Sequence, residues 1–293
     1  MERVNAYENL RGLVYTPFYL GIAEGLFETA GVELNATLSP SGEETAAGVA
    51  AGRVDVSWGG PMRVMRAHDR DGSADLVCFG LAVARDPFMV IGAEPDPEFT
   101  PAKLIGRRLA VATHAPTPWL LLQEDVRRLG LNPAAIRRDD PVEPEDALRR
   151  IAAGDLDYML AFETWGAEAE ARGMAVLSAG ARRGPLAFTS FYAPKAFLDD
   201  RADAARALVA GLETSLAAVR SSDPSWIAEK VKPWFPDTAI ERIATAIARY
   251  QRLDLWPASA EITADGFVRL KSALLSGGFI ASDPPFSELV QNV

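Results

Sequence analysis

The sequence predicts an α/β protein built from two lobes of similar topology, each a mixed, mostly parallel sheet flanked by helices. The stretch AAGRVDVSWGG at 50–60 is typical of a helix end, a stop and a short buried strand, and it recurs as AAGDLDYMLAF at 152–162. A Thr-Pro dipeptide followed by an aromatic residue precedes each copy. Its proline lies 35 positions before the glycine in the first copy, Pro17 to Gly52, and 36 positions before it in the second, Pro118 to Gly154. Each feature alone is common helix punctuation, so their shared order and spacing predict two related lobes.

The first lobe opens with a predicted helix over 16–31. Thr16 is its expected N-cap, Pro17 its first helical position and Gly31 its stop. Apolar residues recur every four positions on one face, which is typical of a buried helix: Phe18, Ile22 and Leu26. The segment 32–38 then alternates apolar and polar residues, which predicts a strand.

A second helix is predicted over 41–52, because Ser41 and Glu44 match a capping box and Gly52 supplies a stop. The predicted strand RVDVSW follows it at 53–58.

The second lobe repeats this order. RRLAVAT at 107–113 predicts a strand, and Thr117 with Pro118 begins a predicted helix. A further helix over 143–154 leads into the predicted strand at 155–162.

The C-terminal part of the chain shows helical periodicity only, from Ala196 onward. Because these helices have no strands of their own, their apolar faces must pack on a lobe that already has a sheet, most simply the first. The chain then crosses between the lobes twice. We expect lobe 1 over 1–91, lobe 2 over 92–192, and a return to lobe 1 over 193–293.

Composition limits the partners. A chain of 293 residues, 48% of them hydrophobic, is long enough for two domains with cores of their own. A formal net charge of −10, with basic residues scattered, removes the electrostatic basis for binding nucleic acid or an anionic membrane. We therefore expect a small-molecule ligand as the partner, and a monomer.

No metal and no cofactor are expected. The two histidines, His68 and His114, are far apart in sequence, and neither has a second ligand at metal-binding spacing. The single cysteine, Cys78, lies in an apolar run, which favours a buried, unreactive thiol and excludes an intrachain disulfide.

The opening stretch MERVNAYENLRGLVY lacks the basic segment and apolar run of a secretory leader. The chain as written is therefore expected in the cytoplasm, or in the periplasm if a leader has been removed. No apolar run reaches the ~18 residues that a spanning helix needs, so no membrane insertion is expected.

The run PFYLGIAEGLFETAGVELNATLSPSGEETAAGVAAGRVDVSWGGP at 17–61 resembles the opening of solute-binding proteins of ABC importers. The similar branch is the NMT1/THI5-like one, shared by aliphatic-sulfonate receptors (SsuA-like) and receptors for thiamine-pyrimidine precursors. Weaker resemblance extends across the chain. It implies a type II periplasmic-binding-protein clamshell, with the ligand held in the cleft between lobes and an ABC permease as a possible partner.

Apart from this resemblance, the candidate ligand contacts are expected where the strands end. In open α/β sheets ligands bind beyond the carboxyl ends of the strands, where helix N-termini present free amides. The segments that end there are rich in aromatic residues, which favours flat or apolar ligand bodies. Each ring alone is better explained by core packing, so the hypothesis depends on their clustering at strand ends. These residues are Tyr15, Phe18, Tyr19, Trp58, Trp119, Phe162 and Trp165.

Arg63 is the candidate anion-binding residue. A helix predicted to begin at Pro61 places it in the first turn, where a cation opposes the helix dipole, and a ligand anion would resolve that conflict. Extension of the side chain into water is the alternative. The expected supporting contacts are the hydroxyls of Thr16, Ser41 and Thr117 and the backbone of Gly42, Gly59 and Gly60.

Glu163 is the one carboxylate expected at the ligand, unless it caps the helix that follows. With His114 it could form an acid–base pair across the cleft, so a cytosolic enzyme of the same fold, such as a decarboxylase or an enzyme of pyrimidine metabolism, remains an alternative. A cytosolic sensor is another. The pyrimidine-synthase activity within the same resemblance is not expected, because the lysine, histidine and cysteine-rich loop it needs are missing. The favoured ligand is a small anionic aromatic, a heterocycle or a sulfonate.

Overall fold

The computed structural model describes residues 1–70, 75–111, 115–139 and 142–293. The chain divides into two compact units, one formed by Met1–Arg85 together with Pro185–Val293, the other by Asp86–Gly184. The chain therefore leaves the first unit once and returns once. These divisions fall several residues before the boundaries expected at 91 and 192.

The strands of the described residues form two five-stranded sheets, one in each unit. The first sheet contains β1 (Glu2–Glu8), β2 (Val32–Leu38), β3 (Val56–Gly59), β4 (Leu76–Val83) and β10 (Thr189–Pro194). The second contains β5 (Met89–Gly92), β6 (Arg108–Val111), β7 (Arg137–Asp139), β8 (Tyr158–Ala161) and β9 (Ala175–Ala179).

The two sheets share one topology. Their strand orders are β2-β1-β3-β10-β4 and β7-β6-β8-β5-β9. In each sheet the first three strands are parallel, and the fourth is antiparallel to both of its neighbours. In each unit, that fourth strand is the first one formed after the chain passes over from the other unit: β5 in the second unit and β10 in the first. The predicted pair of similar α/β lobes with mixed sheets is confirmed.

Helices flank both sheets. In the first unit they are α1 (Thr16–Ala23), α2 (Leu26–Ala30), α3 (Glu44–Ala50), α4 (Met62–Arg70), α8 (Lys195–Asp200), α9 (Ala202–Ser221), α10 (Pro224–Val231), α11 (Ile240–Arg252), α12 (Ala264–Ser276) and α13 (Phe286–Leu289). In the second they are α5 (Thr117–Arg128), α6 (Pro144–Ala152) and α7 (Trp165–Ala171).

The C-terminal helices complete the first unit, as expected. α9 packs on α1, α2 and β4. Gly211 on α9 makes the contact with α2 possible, because a Cβ there would lie 2.6 Å from the Phe27 ring. The Trp256 indole donates to the Val14 carbonyl at 3.0 Å within the same core. The packing around α1 therefore depends on residues that follow it in the sequence by about two hundred positions.

The predicted helix over 16–31 is broken in the structure. Gly25 adopts a left-handed conformation with φ of 62° and separates α1 from α2, which Gly31 ends with φ of 110°. Thr16 is not a side-chain cap, since it lies within the helix and its hydroxyl donates to the Leu13 carbonyl at 2.6 Å. Instead, a 3₁₀ turn over Leu13–Tyr15 leads directly into α1.

The stops predicted at the two repeated units are present. Gly52 and Gly154 follow α3 and α6 with left-handed φ values of 70° and 76°, a region that favours glycine. Ser41 forms half of the predicted capping box, because its hydroxyl accepts from the Glu44 amide at 3.1 Å. The Glu44 carboxylate is instead paired with Arg53 at 2.7 Å.

Candidate functional site

Arg63 lies at the carboxyl end of the first sheet, on the opening turn of α4. It follows β3 and the pair Gly59 and Gly60, and its amide donates to the Gly60 carbonyl at 3.0 Å. The side chain is half-buried. This is the position that the sequence predicts for an anion-binding side chain at the end of a parallel strand.

The hydrogen-bond partners of Arg63 among the described residues are neutral. One terminal nitrogen donates to Asn9 Oδ1 at 2.7 Å, and the other donates to the Gly42 carbonyl. Its Nε is buried and has no hydrogen-bond partner in the described part of the chain. Among the residues that the structure describes, no carboxylate comes within 4.0 Å of the guanidinium. The positive charge of Arg63 is thus solvated by dipoles, and no described residue neutralises it.

Asn9 organises the surroundings of Arg63, and sequence reasoning missed it. It directly follows β1, and its Nδ2 donates to the Tyr15 hydroxyl at 3.4 Å. Gly59 permits this placement, because a Cβ at that position would lie 3.2 Å from Asn9 Cβ. The available signal was its position at the end of a parallel strand. We name Arg63, Asn9, Tyr15 and Gly42 the Arg63 cluster.

Strand β10 brings three hydroxyls to the same part of the first unit. Thr189, Ser190 and Tyr192 are fully buried, and their hydroxyls lie beside the Tyr15 hydroxyl, the Cys78 thiol and Ser57, respectively. The register of β10 against β4 shifts twice, between Thr189 and Ser190 and between Ser190 and Phe191. Such irregularities re-aim side chains at the edge of a functional site.

Arg63 acts electrostatically on two phenols. Burial raises the pKa of Tyr15, and the Asn9 hydrogen bond and the Arg63 charge oppose that rise. Burial also raises the pKa of Tyr192, and the Arg63 charge and a hydrogen bond with Ser57 oppose that rise. Both phenols therefore stay protonated at neutral pH and are hydrogen-bond donors. Thr189 adjoins the Tyr15 hydroxyl, whereas Ser190 adjoins the Cys78 thiol, whose pKa is raised to about 12 by burial.

Two of the predicted aromatic contacts belong to the core. Phe18 and Trp58 are fully buried, and their rings stack with centroids 4.4 Å apart and an interplanar angle of 11°. Phe191 meets Phe18 edge-on at 5.0 Å. Core packing accounts for both rings, so we leave Phe18 and Trp58 out of the site proposed below.

Tyr19 is engaged by a carboxylate that sequence reasoning also missed. Its hydroxyl donates to Glu8, and its ring stacks on Trp234 at 5.3 Å. Arg11 pairs with the same carboxylate at 3.0 Å. Burial raises the pKa of Glu8, while Tyr19 and Arg11 oppose the rise. Tyr19 and Arg11 therefore both contact a carboxylate, whereas the described hydrogen-bond partners of Arg63 are neutral.

Most of the second unit's predicted contacts have structural roles. Thr117 is the buried first residue of α5, and Trp119 packs under the Arg138 guanidinium at 5.0 Å. Glu163 caps α7, since its carboxylate accepts from the Ala167 amide at 3.0 Å. Trp165 is partly buried against the core of this unit.

Phe162 meets Phe88 in the same unit, with ring centroids 5.1 Å apart. His114, the other half of the predicted acid–base pair, lies outside the described residues.

The described residues contain no cluster of three or more His, Cys, Asp or Glu side chains that could hold a metal ion. Within the same residues, no helix combines the length and the apolar character needed to cross a bilayer.

The chain is similar to known proteins in both sequence and structure. The chain is 18% identical over 293 residues to YtlA of Bacillus subtilis (strain 168), covering 99% of this chain and 88% of the relative. The periplasmic aliphatic sulphonate binding protein SsuA of Escherichia coli superposes with a TM-score of 0.77 at 18% identity, over 98% of this chain and 97% of that one. These likenesses confirm the periplasmic-binding-protein fold.

A second SsuA, the alkanesulfonate-binding protein of Xanthomonas axonopodis pv. citri bound to MOPS, superposes with a TM-score of 0.74 at 15% identity. It covers 100% of this chain and 98% of that one. The family described as NMT1/THI5 like matches residues 13–224, well over half of the sequence. The chain therefore belongs to the NMT1/THI5-like family.

Proposed function

We propose that this protein is a solute-binding protein that holds a small anionic ligand at the Arg63 cluster and delivers it to an ABC permease. Membership of the NMT1/THI5-like family and the fold shared with SsuA support a binding role. The SsuA structures are named for alkanesulfonate and aliphatic sulphonate binding, which is compatible with a ligand that carries a negative charge.

The observation that carries the proposal is the charge of Arg63. A half-buried guanidinium normally pairs with a carboxylate, because burial weakens its hydration. Arg63 instead donates to a carbonyl and to a side-chain amide, both neutral. A bound carboxylate or sulfonate would accept a charge-assisted pair of hydrogen bonds from it. The ligand would therefore supply the counter-ion that the described residues do not provide at this point.

The proposed contacts in the first unit are the Arg63 cluster with Ser41, Gly59 and Gly60. Tyr15 offers a donor hydroxyl beside the charge, and Ser41 and Gly42 form the exposed loop whose carbonyl accepts from Arg63. The favoured ligand body is an aromatic or heterocyclic anion or a sulfonate. Contacts from Thr117, Trp119 and Trp165 remain predictions.

We further propose a periplasmic location and a monomeric state. The SsuA of Escherichia coli is named as periplasmic, which supports the proposed location. The enzyme and sensor alternatives have no support from the position of Glu163, which caps a helix through a backbone amide.

The test is native mass spectrometry of protein purified without added ligand, followed by denaturation and identification of the released molecule. We expect an anion that is recovered chemically unchanged after prolonged incubation with stoichiometric protein. Arg63→Gln should lose at least tenfold in affinity for it, as removal of a charged partner usually does. Arg70→Gln on the same helix is the control, because Arg70 is exposed.

Two results would count against the proposal. Equal affinity of Arg63→Gln and wild-type protein would remove Arg63 from the site. Conversion of the ligand into a new product would establish an enzyme in place of a binding protein.

A further inference from the structure

The outer edge of β4 is covered by irregular chain. β4 is the last strand of the first sheet, so β10 pairs with one of its sides only. On the other side Val290 forms an isolated parallel bridge with Cys78, and the Gln291 amide donates to the Cys78 carbonyl at 3.0 Å. Further along, the Leu81 amide donates to the Ala260 carbonyl at 2.6 Å. These contacts occupy backbone groups that an open edge would offer to other chains.

The segment that pairs with Cys78 buries few side chains of its own. We name residues 279–292, which include the short helix α13, the strap. Its buried side chains are Ile280, Leu289 and Val290, and its other side chains are partly or fully exposed. Hydrophobic burial therefore contributes less to the attachment of the strap than to the packing of the core helices.

Asp69, in the last turn of α4, is the main polar anchor of the strap. Its carboxylate accepts from the Ala281 amide at 2.8 Å, from the Ser282 amide at 2.7 Å and from the Ser282 hydroxyl at 2.9 Å. These hydrogen bonds lower the pKa of Asp69. Arg66 on the same helix donates to the Phe279 carbonyl and lies 5.1 Å from the Phe279 ring centroid. One helix thus holds the beginning of the strap.

Two further anchors hold the rest of the strap. Lys271 on α12 pairs with Asp283 and donates to the Pro284 carbonyl at 3.0 Å. Asn292 exchanges two hydrogen bonds with the backbone of Ile262, at 3.0 and 3.1 Å. The Asp283 side chain is 67% exposed, so water can replace its contact at little cost.

The Cys78 thiol lies behind the strap. Val77 and Phe79, its neighbours on β4, belong to the core that includes α9, so the alternation of a strand places Cys78 on the opposite face. Paired residues of neighbouring strands point to the same face, which places the Val290 side chain beside Cys78. Cys78 is fully buried. Removal of the strap would therefore open one side of the thiol to solvent.

We propose that the strap detaches from β4 while the rest of the first unit stays folded, and that this release controls access to the Cys78 thiol. Segments with few buried apolar side chains and many exposed hydrogen bonds open at a lower free energy than the whole domain. In the closed state burial raises the pKa of the thiol to about 12, which keeps it protonated and unreactive. The device is independent of the proposed ligand site.

The single cysteine makes the release measurable in the full chain. Alkylation of Cys78 by iodoacetamide is followed by mass spectrometry at pH 8, from zero urea to concentrations below the unfolding transition. The rate that complete unfolding would allow is calculated from urea titrations of the same protein. We expect labelling without urea to be at least about tenfold faster than that rate and to depend weakly on urea, because release exposes little surface. A labelling rate that follows the unfolding equilibrium at every urea concentration would overturn the proposal.

Variants of the anchors test what holds the strap. Asp69→Ala should accelerate labelling by about 10- to 100-fold, the usual effect of losing hydrogen bonds to a charged group, with little change in the unfolding midpoint. Lys271→Met removes a different anchor and should act in the same direction.

Asp223→Ala is the matched control. Asp223 also accepts from two backbone amides of the first unit, those of Ser225 at 2.9 Å and Trp226 at 3.2 Å, but it caps α10. This variant should lower the unfolding midpoint and leave the labelling rate without urea unchanged. Equal acceleration by Asp69→Ala and Asp223→Ala, or none by either anchor variant, would show that Cys78 is not controlled by the strap.

Hydrogen exchange gives a second readout that needs no reagent to reach the thiol. The Gln291 amide donates to β4, so its exchange reports release of the strap directly. Peptides that cover 279–292 should exchange faster than those that cover β1, and Asp69→Ala should accelerate exchange in the strap alone. Equal protection of the strap and β1 would mean that both open only when the first unit unfolds, and the proposal would fail.

Discussion

Two half-buried arginines, one in each unit, are surrounded in opposite ways. Arg183 in the second unit contacts Asp86 and also pairs with Asp125 at 2.6 Å, whereas the partners of Arg63 within the described part of the first unit are neutral. An arginine saturated by carboxylates holds a structure together. An arginine solvated by neutral dipoles keeps a charge that an external anion can use. Under the proposed function, this contrast distinguishes a structural arginine, Arg183, from a ligand-binding one, Arg63.

The Arg183 cluster, made of Arg183, Asp86 and Asp125, joins both ends of the second unit. Asp86 is the first residue of that unit, and Arg183 is its second to last. Asp86 is 1% exposed and also accepts from the Phe88 amide at 2.9 Å. The third member, Asp125, is on α5. The cluster therefore fixes the entering and the leaving chain to the same helix.

The largest effect is expected from Arg183→Met. Removing one partner of a buried ion pair leaves the other charge uncompensated, which destabilises by about 3 to 5 kcal/mol. We expect the free energy of unfolding of the second unit to fall by about this amount in urea titrations at pH 8. Arg182→Met is the control, because Arg182 is exposed. A loss below about 1 kcal/mol would remove the contrast between the two arginines.

Asp86 should make stability depend on pH. Burial raises the pKa of Asp86 to about 6, even though Arg183 opposes the rise. A carboxyl whose folded pKa lies above its unfolded value of about 3.9 favours the folded state when protonated. Its contribution is complete below pH ~4 and is lost as the pH rises through about 6. The loss is about 1.4 kcal/mol for each pH unit that separates the folded pKa from the unfolded one.

The measurement compares the wild type with Asp86→Asn, in urea titrations from pH 4 to pH 8. Over this range the wild type should lose about 3 kcal/mol more stability than the variant, which cannot ionise. Parallel pH profiles of the two proteins would show that Asp86 is ionised throughout, and that its pairing with Arg183 outweighs burial.

Gly180→Ala should disturb the same cluster without changing its charge. A Cβ at Gly180 would lie 2.4 Å from Asp86 Oδ2 and 2.5 Å from an Arg183 nitrogen, which is closer than real Cβ contacts. Overpacking of this kind costs about 1 to 3 kcal/mol. Thermal unfolding should show the loss, and Gly60→Ala in the first unit should show less, because its nearest neighbour is the flexible Met62 side chain at 3.2 Å.

The parts of the fold that depend on local chemistry were predictable. The glycine stops at Gly52 and Gly154 and the strands that follow them depend on a few adjacent residues, and so does the place of Arg63 after β3. The break at Gly25 was missed, because the apolar spacing of the surrounding residues continues through it.

Other parts of the first unit near Arg63 depend on contacts between segments that are distant in sequence. Thr189 and Tyr192 come into place only because β10 pairs between β3 and β4, and its partners precede it by more than a hundred positions. Nothing in the local pattern of TSFYAP indicates which buried groups its hydroxyls lie beside. Core packing was an expected role for Trp58 taken alone, but its stacking partner Phe18 could not be predicted, because that residue is distant in sequence.

The smallest effect is expected from Arg63→Met in the ligand-free protein, and it is the one that decides the comparison. The variant loses hydrogen bonds to Asn9 and Gly42, each worth about 0.5 to 1.5 kcal/mol, and it also removes a half-buried charge that no described carboxylate neutralises. Because these two contributions oppose one another, the free energy of unfolding should change by less than about 1 kcal/mol. The measurement is urea unfolding of protein refolded from denaturant to strip bound ligand, side by side with Arg183→Met. A destabilisation of Arg63→Met as large as that of Arg183→Met would mean that Arg63 holds the first unit together, and the distinction between a binding and a structural arginine would fail.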